Sequence, residues 1–394
     1  MSVFIGCVNS LLDQDLYKLT MMQAVLHQFP SAMVKYEFRC RNIEQLGKVV
    51  TPDMVWREIE HLCGMGFLSG ELNYLKGIRF FKPDFIEFLR MFRLDKKFVQ
   101  IGTDRKHNLR IDIAGPWLHT ILFEVFVLSI VNELYGKDMN ALGGKALPFK
   151  GEGVLRKRKK IKFLKNTPPD FKVIEFGTRR RHSGEWQACV YEDLLKTGRM
   201  AGTSNVLLAD ITRTTPCGTM AHEWLQAGQA LGPRLRDSQT FMLDAWVKEY
   251  RGDLGIALTD VIGIDAFLED FDLYFAKLYD GVRHDSGCPF EFGEKIIKKY
   301  ESLKLDPRTK TAVFSDSLDL KTAMRIYRRF KGRIKTVFGI GTFLTNDVGY
   351  RVPNIVIKMT ECNGQPVAKI SDSPGKSMCR DAQYVRYLAK VFGR

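Results

Sequence analysis

From residue 171 onward, short apolar runs alternate with stretches of helical periodicity, and nothing else in the chain restricts the fold so strongly. The apolar runs lie at 171–177, 203–208, 255–259, 278–282, 311–315 and 334–339, with helices expected at 184–196, 221–231, 235–250, 289–303 and 318–330. Such alternation predicts an α/β fold, as a parallel sheet or a (β/α) barrel. The first run leads into Glu175-Phe176-Gly177-Thr178-Arg179-Arg180-Arg181-His182-Ser183. A buried strand thus delivers guanidinium groups at its C-terminal tip, where α/β enzymes hold anions. Later runs end near Thr203-Ser204-Asn205, Asp260, Arg283-His284-Asp285-Ser286-Gly287, Ser315-Asp316-Ser317 and Gly339-Ile340-Gly341-Thr342. Any one of these suits a helix cap or a turn. Their recurrence at successive strand ends points to a site where those ends converge.

Upstream, a helix is expected at 11–28 and a strand at 33–38, leading into Arg39, Cys40 and Arg41. Helices at 52–62, 83–92 and 116–135 and strands at 97–101 and 109–113 complete the N-terminal part. Beyond 350, strands at 354–361 and 366–370 flank Asn363-Gly364, a strong hairpin signal, and a helix near 380–391 follows. The expected division is an N-terminal α+β domain over 1–135, a basic connecting segment over 136–170, a catalytic α/β barrel over 171–349, and a tail over 350–394 packed on the N-terminal domain.

Lysine and arginine number 60 against 45 acidic residues, a formal charge of +15. That surplus suits nucleic acid, an anionic membrane or small substrates carrying phosphate and carboxylate. The run Arg156-Lys157-Arg158-Lys159-Lys160 favours nucleic acid most, but no aromatic residues alternate with its charges, and a solvated helix face is the plainer expectation. Gly143-Gly144 marks a loop before it. Eight scattered cysteines without a CxxC pair fit reduced thiols in the cytoplasm. The N-terminus lacks the pattern of a secretory signal. The apolar segment Trp117 to Leu134 contains His119, Glu124 and Asn132, so a buried helix is expected rather than a membrane span.

Several residues carry chemistry. The glycines of FGIGT leave N–H groups free to cradle a phosphate, and Asp285 and Asp316 could hold Mg²⁺ together with substrate phosphates. His222 stands where a short strand meets a helix, and with Glu223 beside it a nucleophilic imidazole is plausible chemistry. The acidic pair Glu192-Asp193 before Thr197-Gly198 imitates a phosphoribosyl-diphosphate fingerprint, but Trp186, Val190 and Leu194 at four-residue spacing make it helical. Gly375-Lys376-Ser377 is half a P-loop without its first glycine; Lys376 is kept as a phosphate ligand on charge grounds.

Taken in order, LLDQDLYKLTM, YEFRCR, EFGTRRRHS, GTSN, GTMAHEW, GVRHDSG, FSDS, FGIGTFLTND and ECNGQPVAKISDSPGKS resemble the nicotinate phosphoribosyltransferases, ATP-using type II phosphoribosyltransferases. Only residues 136–170 lie outside the resemblance. It implies an irregular α/β barrel with a second α+β domain built from both termini, and a homodimer whose N-terminal Tyr17 and Arg39 reach into the neighbouring subunit's site. The implied reaction joins nicotinate to phosphoribosyl diphosphate, with ATP as co-substrate and Mg²⁺ as cofactor, giving nicotinate mononucleotide and pyrophosphate in NAD salvage. His222 matches the histidine that the family phosphorylates, with Asp285 and Glu223 as further catalytic groups. Tyr17 and Phe176 match the aromatic pair around the ring; Arg179, Ser204 and Arg283 complete the nicotinate set. Arg39, Asp316, Lys369 and Lys376 match phosphate ligands, with Gly339, Gly341 and Thr342 as the 5′-phosphate loop. Nicotinamide phosphoribosyltransferase is the nearest rival; it carries aspartate where this chain has Ser204, and serine can donate to a carboxylate that aspartate would repel. A basic nucleic-acid-binding protein led by residues 150–165 is the alternative from another class, and it leaves the polar strand ends unexplained. No membrane partner is expected.

Overall fold

Six parallel strands bring their C-terminal ends to one edge of a sheet: β4 (Lys172–Glu175), β5 (Met200–Thr203), β6 (Ile256–Leu258), β7 (Gly281–His284), β8 (Thr311–Phe314) and β9 (Lys335–Ile340). Their order is β5-β4-β9-β8-β7-β6, every neighbouring pair parallel. The structure, a computed structural model, describes residues 5–141, 151–372, 379 and 381–394. Val173, Ala257, Val282, Ala312, Phe314 and Phe338 are buried on these strands, as expected of a sheet covered on both faces.

The sheet is not a closed barrel among the described residues. β5 and β6 are both edge strands, and residues 215–219 run between them. Pro216 makes one bridge to Thr203, Cys217 N donates to Thr203 O at 2.7 Å, and Thr219 Oγ1 donates to Ile256 O at 2.7 Å. Proline has no N–H to continue a ladder, so this segment fills the wall without becoming a strand. The apolar run at 203–208 also divides differently from expectation. Its strand ends at Thr203, and Val206–Thr212 is a helix, because Asn205 Oδ1 accepts from Leu208 N at 2.9 Å and caps it. The run at 278–282 shifts likewise: Leu273–Leu278 is helical and the strand starts at Gly281.

A second, antiparallel sheet draws on both ends of the chain. It comprises β1 (Met33–Cys40), β2 (Val99–Thr103), β3 (Leu109–Pro116), β10 (Ile355–Cys362) and β11 (Gln365–Pro366), in the order β11-β10-β1-β3-β2. The turn between β10 and β11 is Asn363-Gly364 with φ of 49° and 77°, the two positive values that a tight hairpin requires. The return strand is shorter than the expected 366–370. Helix Phe123–Ala141 packs against it; within the apolar stretch Trp117–Met139 all but a few residues are buried, so its hydrophobic side chains face a core. The acidic pair Glu192-Asp193 lies on helix Gly184–Leu195, as its spacing predicts. Gly143-Gly144 lies outside the described residues.

The N-terminal segment is fastened to the parallel sheet by buried charge. Arg181, 2% exposed, donates from Nη1 and Nη2 to the two oxygens of Asp13, both at 2.6 Å. Asn205 Nδ2 donates to Asp13 Oδ1 at 2.7 Å, and main-chain bonds run from Leu16 N to Ser204 O and from Val206 N to Gln14 O. Breaking one side of a buried pair leaves an uncompensated charge. Arg181→Met is therefore expected to lower unfolding free energy by about 3–5 kcal/mol in urea titrations, with Asp13→Asn,Arg181→Met recovering part of the loss; a change below about 1 kcal/mol for the single variant would contradict this account.

Candidate active site

A cavity of about 470 Å³ opens where the strand ends of the parallel sheet face β10 and the first helix. Tyr17, Phe176, Arg179, Ser204, His222, Glu223, Arg283, Asp285, Asp316, Gly341, Thr342 and Lys369 all line it, so most of the residues singled out in the sequence meet in one place. Helix Leu16–Gln28 brings Tyr17, whose hydroxyl is buried without a hydrogen-bond partner among the described residues. Phe176 follows β4. Gly339 does not line the cavity: a Cβ there would come within 2.4 Å of the Phe176 ring, so this glycine makes room for the aromatic side chain rather than for a phosphate.

His222 opens helix His222–Leu231 and is 6% exposed. Two residues on, Trp224 packs between Trp117 and Trp246 and donates from Nε1 to Met242 O at 2.9 Å, which fixes the start of the helix. His222 Nε2 lies 2.9 Å from Asp260 Oδ1, 2.6 Å from Lys369 Nζ and 3.4 Å from Asp285 Oδ2. Asp260 Oδ2 accepts from Lys369 Nζ at 2.7 Å and from Ser286 Oγ at 2.6 Å. Burial, with the Lys369 ammonium beside it, holds the imidazole down at about 4, so the ring is neutral and its lone pair available at neutral pH. Burial, and then the Asp260 carboxylate, act to raise the Asp285 carboxyl, but the Lys369 and Arg283 cations help to keep it below the ordinary carboxylate range.

Glu223 does not partner His222. Consecutive helix residues point about 100° apart, and Glu223 instead binds the Lys18 ammonium and the Tyr36 hydroxyl. Lys18 is wholly buried, with Glu124 Oε2 at 2.6 Å on its other side. Asp260, two residues past β6, takes the place beside the histidine that was expected of Glu223. Arg39 is likewise displaced: on β1 Tyr36 and Phe38 face inward, Arg39 is exposed on the outer face, and Arg41 reaches the cavity instead. Tyr17 lines the cavity of its own chain. Ser204 Oγ donates to Asp15 Oδ1 at 2.7 Å, so its proton is already engaged by this chain. Lys376 lies outside the described residues.

The cavity also gathers cations that periodicity alone did not flag. Arg180 is pulled down to about 10, by burial first and then by neighbouring Arg179 and Arg41. Burial and the nearby charges of Lys369 and Arg179 bring Lys358 down to about 7. Lys358 sits in β10 within Ile-Val-Ile-Lys-Met, and a lone lysine in such an apolar run was the signal that could have marked it. Arg179 faces Glu124 at 3.7 Å; burial favours raising that carboxyl, but Lys18, Lys358 and Arg179 hold it at about 2. Arg41, Arg179, Arg180, Arg283, Lys358 and Lys369 gathered beside aromatic rings in one pocket suit a flat anionic ring together with phosphates.

The comparisons with known proteins agree along the chain. The nicotinate phosphoribosyltransferase (NAPRTase) family matches residues 171–394, and the N-terminal domain of that family matches residues 12–132. The nicotinate phosphoribosyltransferase of Burkholderia mallei is 54% identical, covering 98% of this chain and 97% of its own length; that of Xanthomonas campestris pv. campestris is 53% identical over 98% and 96%. Among crystal structures, nicotinate phosphoribosyltransferase from Vibrio cholerae superposes with a TM-score of 0.91 at 40% identity, covering 98% of this chain and 94% of that one. The enzyme from Porphyromonas gingivalis gives 0.89 at 31% identity, covering 98% and 100%. This chain belongs to the nicotinate phosphoribosyltransferase family and is an enzyme of that family.

Proposed function

We propose that the chain transfers phosphoribosyl from phosphoribosyl diphosphate to nicotinate in NAD salvage and couples that transfer to ATP cleavage through His222. The observation that carries this reading is the neutral His222, bracketed by Asp260, Lys369 and Asp285, in the same cavity as the Tyr17–Phe176 ring walls and the arginines. In this reading Tyr17 and Phe176 flank the pyridine ring, and Arg179, Arg283 and Ser204 face its carboxylate. Arg41, Arg180, Lys358 and Lys369 take the diphosphate, and the Gly341–Thr342 turn takes the 5′-phosphate. The ring nitrogen attacks C1 of the ribose as the bond to pyrophosphate breaks, through an oxocarbenium-like transition state. Charge neutralisation and positioning then supply most of the acceleration.

Asp285 and Asp316 suit Mg²⁺, since both line the cavity with hard carboxylate oxygens and leave room for phosphate ligands. The tighter cluster His222, Asp260 and Asp285 suits it less, because the Lys369 ammonium already stands 2.6 and 2.7 Å from two of its members. When bound, Mg²⁺ would neutralise charge on the departing pyrophosphate. In the ATP step a lone pair of the His222 imidazole attacks the γ-phosphorus, the bond to ADP breaks, and water later takes the phosphoryl group. Asp260 holds the ring orientation and balances the charge that develops on it. A homodimer remains part of the reading, with Arg39 on the outer face of β1 as the residue offered to a neighbour, while the ring site itself comes from one chain.

The rate of nicotinate mononucleotide formation, measured with and without ATP for wild type and His222→Asn, tests the coupling. Strong ATP stimulation in wild type and none in the variant is expected; stimulation that survives in His222→Asn would refute the role of His222. Ser204→Asp places a second carboxylate beside Asp15 and should lower kcat/KM for nicotinate relative to nicotinamide by about tenfold or more, and an unchanged ratio would count against Ser204 as a selector. Lys358 is charged below about pH 7 and neutral above it, so binding an anion at higher pH requires proton uptake. Affinity for phosphoribosyl diphosphate should therefore fall from pH 6.5 to 8.5, and Lys358→Met should flatten that slope in calorimetric titrations. A variant profile parallel to wild type would remove Lys358 from the diphosphate site.

A further inference from the structure

The basic run of residues 156–160 lies outside the cavity, yet helix Glu152–Lys165 turns its buried side onto the turn that contains Thr342. Lys160, 5% exposed, places Nζ 3.0 Å from Asp347 Oδ2 and 4.6 Å from the centroid of the Phe343 ring. Arg156, one helical turn earlier, donates to the other oxygen of Asp347 and, from Nε, to Glu152 Oε1 at 2.8 Å. Arg158 and Lys159, on the same run, are exposed. Lys157 faces a different neighbour, pairing with Asp193 Oδ2 at 2.6 Å on helix Gly184–Leu195, whereas the cations at i and i+4, Arg156 and Lys160, converge on one carboxylate.

That carboxylate belongs to the segment that closes the site. Gly341, Thr342 and Phe343 line the cavity, and helix Thr342–Thr345 follows directly. Asn346 Nδ2 donates to Arg180 O at 2.9 Å, and His182 N donates to Thr345 O at 3.0 Å. Asp347 therefore stands at a junction: gripped from outside by helix Glu152–Lys165, and joined through its neighbours to both the Gly341 turn and the arginine turn. Lys160 adds a second hold by lying over the Phe343 ring, a cation–aromatic contact made in a water-poor setting.

We propose that Lys160 and Arg156 are positioning residues that fix the Gly341–Phe343 turn, and through Asn346 the Arg180 main chain, for a phosphate monoester of the substrate. This rests on the reading of the Gly341–Thr342 turn as the 5′-phosphate site. The basic helix thereby acts on catalysis without touching a ligand, and its charge serves geometry rather than attraction of a polyanion.

The test measures calorimetric affinity for two probes, ribose 5-phosphate, which carries the monoester alone, and inorganic pyrophosphate, which lacks it. Lys160→Met is expected to weaken ribose 5-phosphate by about tenfold while pyrophosphate stays within about twofold. Asp347→Asn should do the same, the double variant should be no worse than either single one, and Lys160→Arg should recover part of the loss. Lys159→Met, on the exposed side, should change neither affinity. Thr342→Val separates the two readings. If it weakens ribose 5-phosphate but Lys160→Met does not, the positioning role is overturned and the phosphate site stands. If neither weakens it, the 5′-phosphate reading falls and takes the positioning role with it. Equal weakening of both probes by Lys160→Met would also overturn the proposal, since it would report general damage. Should Lys160→Met fail to fold, Arg156→Gln, at a half-exposed position, takes its place: about threefold weaker ribose 5-phosphate supports the proposal, and unchanged binding overturns it.

Discussion

The site depends on one buried ion pair, Asp13 with Arg181. A guanidinium that is 2% exposed is held in place by two 2.6 Å bonds that it donates to Asp13, one of 3.1 Å to Gln187 Oε1 and one to the Cys7 carbonyl, with Glu133 Oε2 facing its Nε at 3.9 Å. The pair locks the segment around Asp13 against the turn after β4, and with it the start of the helix that carries Tyr17 and Lys18. The third arginine of the triplet thus builds the site, while the first two face it. Three adjacent guanidinium groups do different work because the 3₁₀ turn at Thr178–Arg180 points them in different directions.

Charge inside the cavity is arranged in two tiers. In the deeper tier each charge has an opposite within reach: Lys18 lies between Glu124 and Glu223, and Lys369 between His222 and Asp260. In the outer tier Arg180, Arg283 and Lys358 line the cavity with cationic groups that these carboxylates do not saturate. The inner tier sets protonation states, including the neutral imidazole of His222. The outer tier leaves favourable electrostatic energy to be gained when an anion arrives.

The parts legible in the sequence are those that a short-range pattern dictates. Strand–helix alternation gave the parallel sheet, the polar strand ends gave the cavity, and Asn363-Gly364 gave the hairpin, because each needs only periodicity or turn chemistry. What failed needed three-dimensional direction. Glu223 sits beside His222 in the chain but points elsewhere, since adjacent helix residues diverge; Asp260, thirty-eight residues away, takes that place through the sheet. Arg39 and Arg41 share the same strand parity; only Arg41 reaches the cavity because β1 ends at Cys40 and the chain bends at Arg41, a change of direction that alternation alone does not show. Closure of the barrel was not readable either, because a proline-containing segment stands where the spacing allowed a strand.

That interruption between β5 and β6 has a consequence for how such a pocket can change over evolutionary time. A strand locked by a full ladder transmits any shift to its neighbours, so its side chains are costly to replace. Residues 215–219 hang from β5 by main-chain bonding at Thr203 and touch β6 through one threonine hydroxyl, while Cys217 and Gly218 face the cavity beside Tyr17 and Ser204. The wall next to the ring pocket is therefore the part least bound by the register of the sheet. Substitutions there can reshape the acceptor pocket while the helix that holds His222 and the strands that lead to Asp260 and Asp285 stay undisturbed, so a related enzyme can acquire a different base without rebuilding its phosphate chemistry.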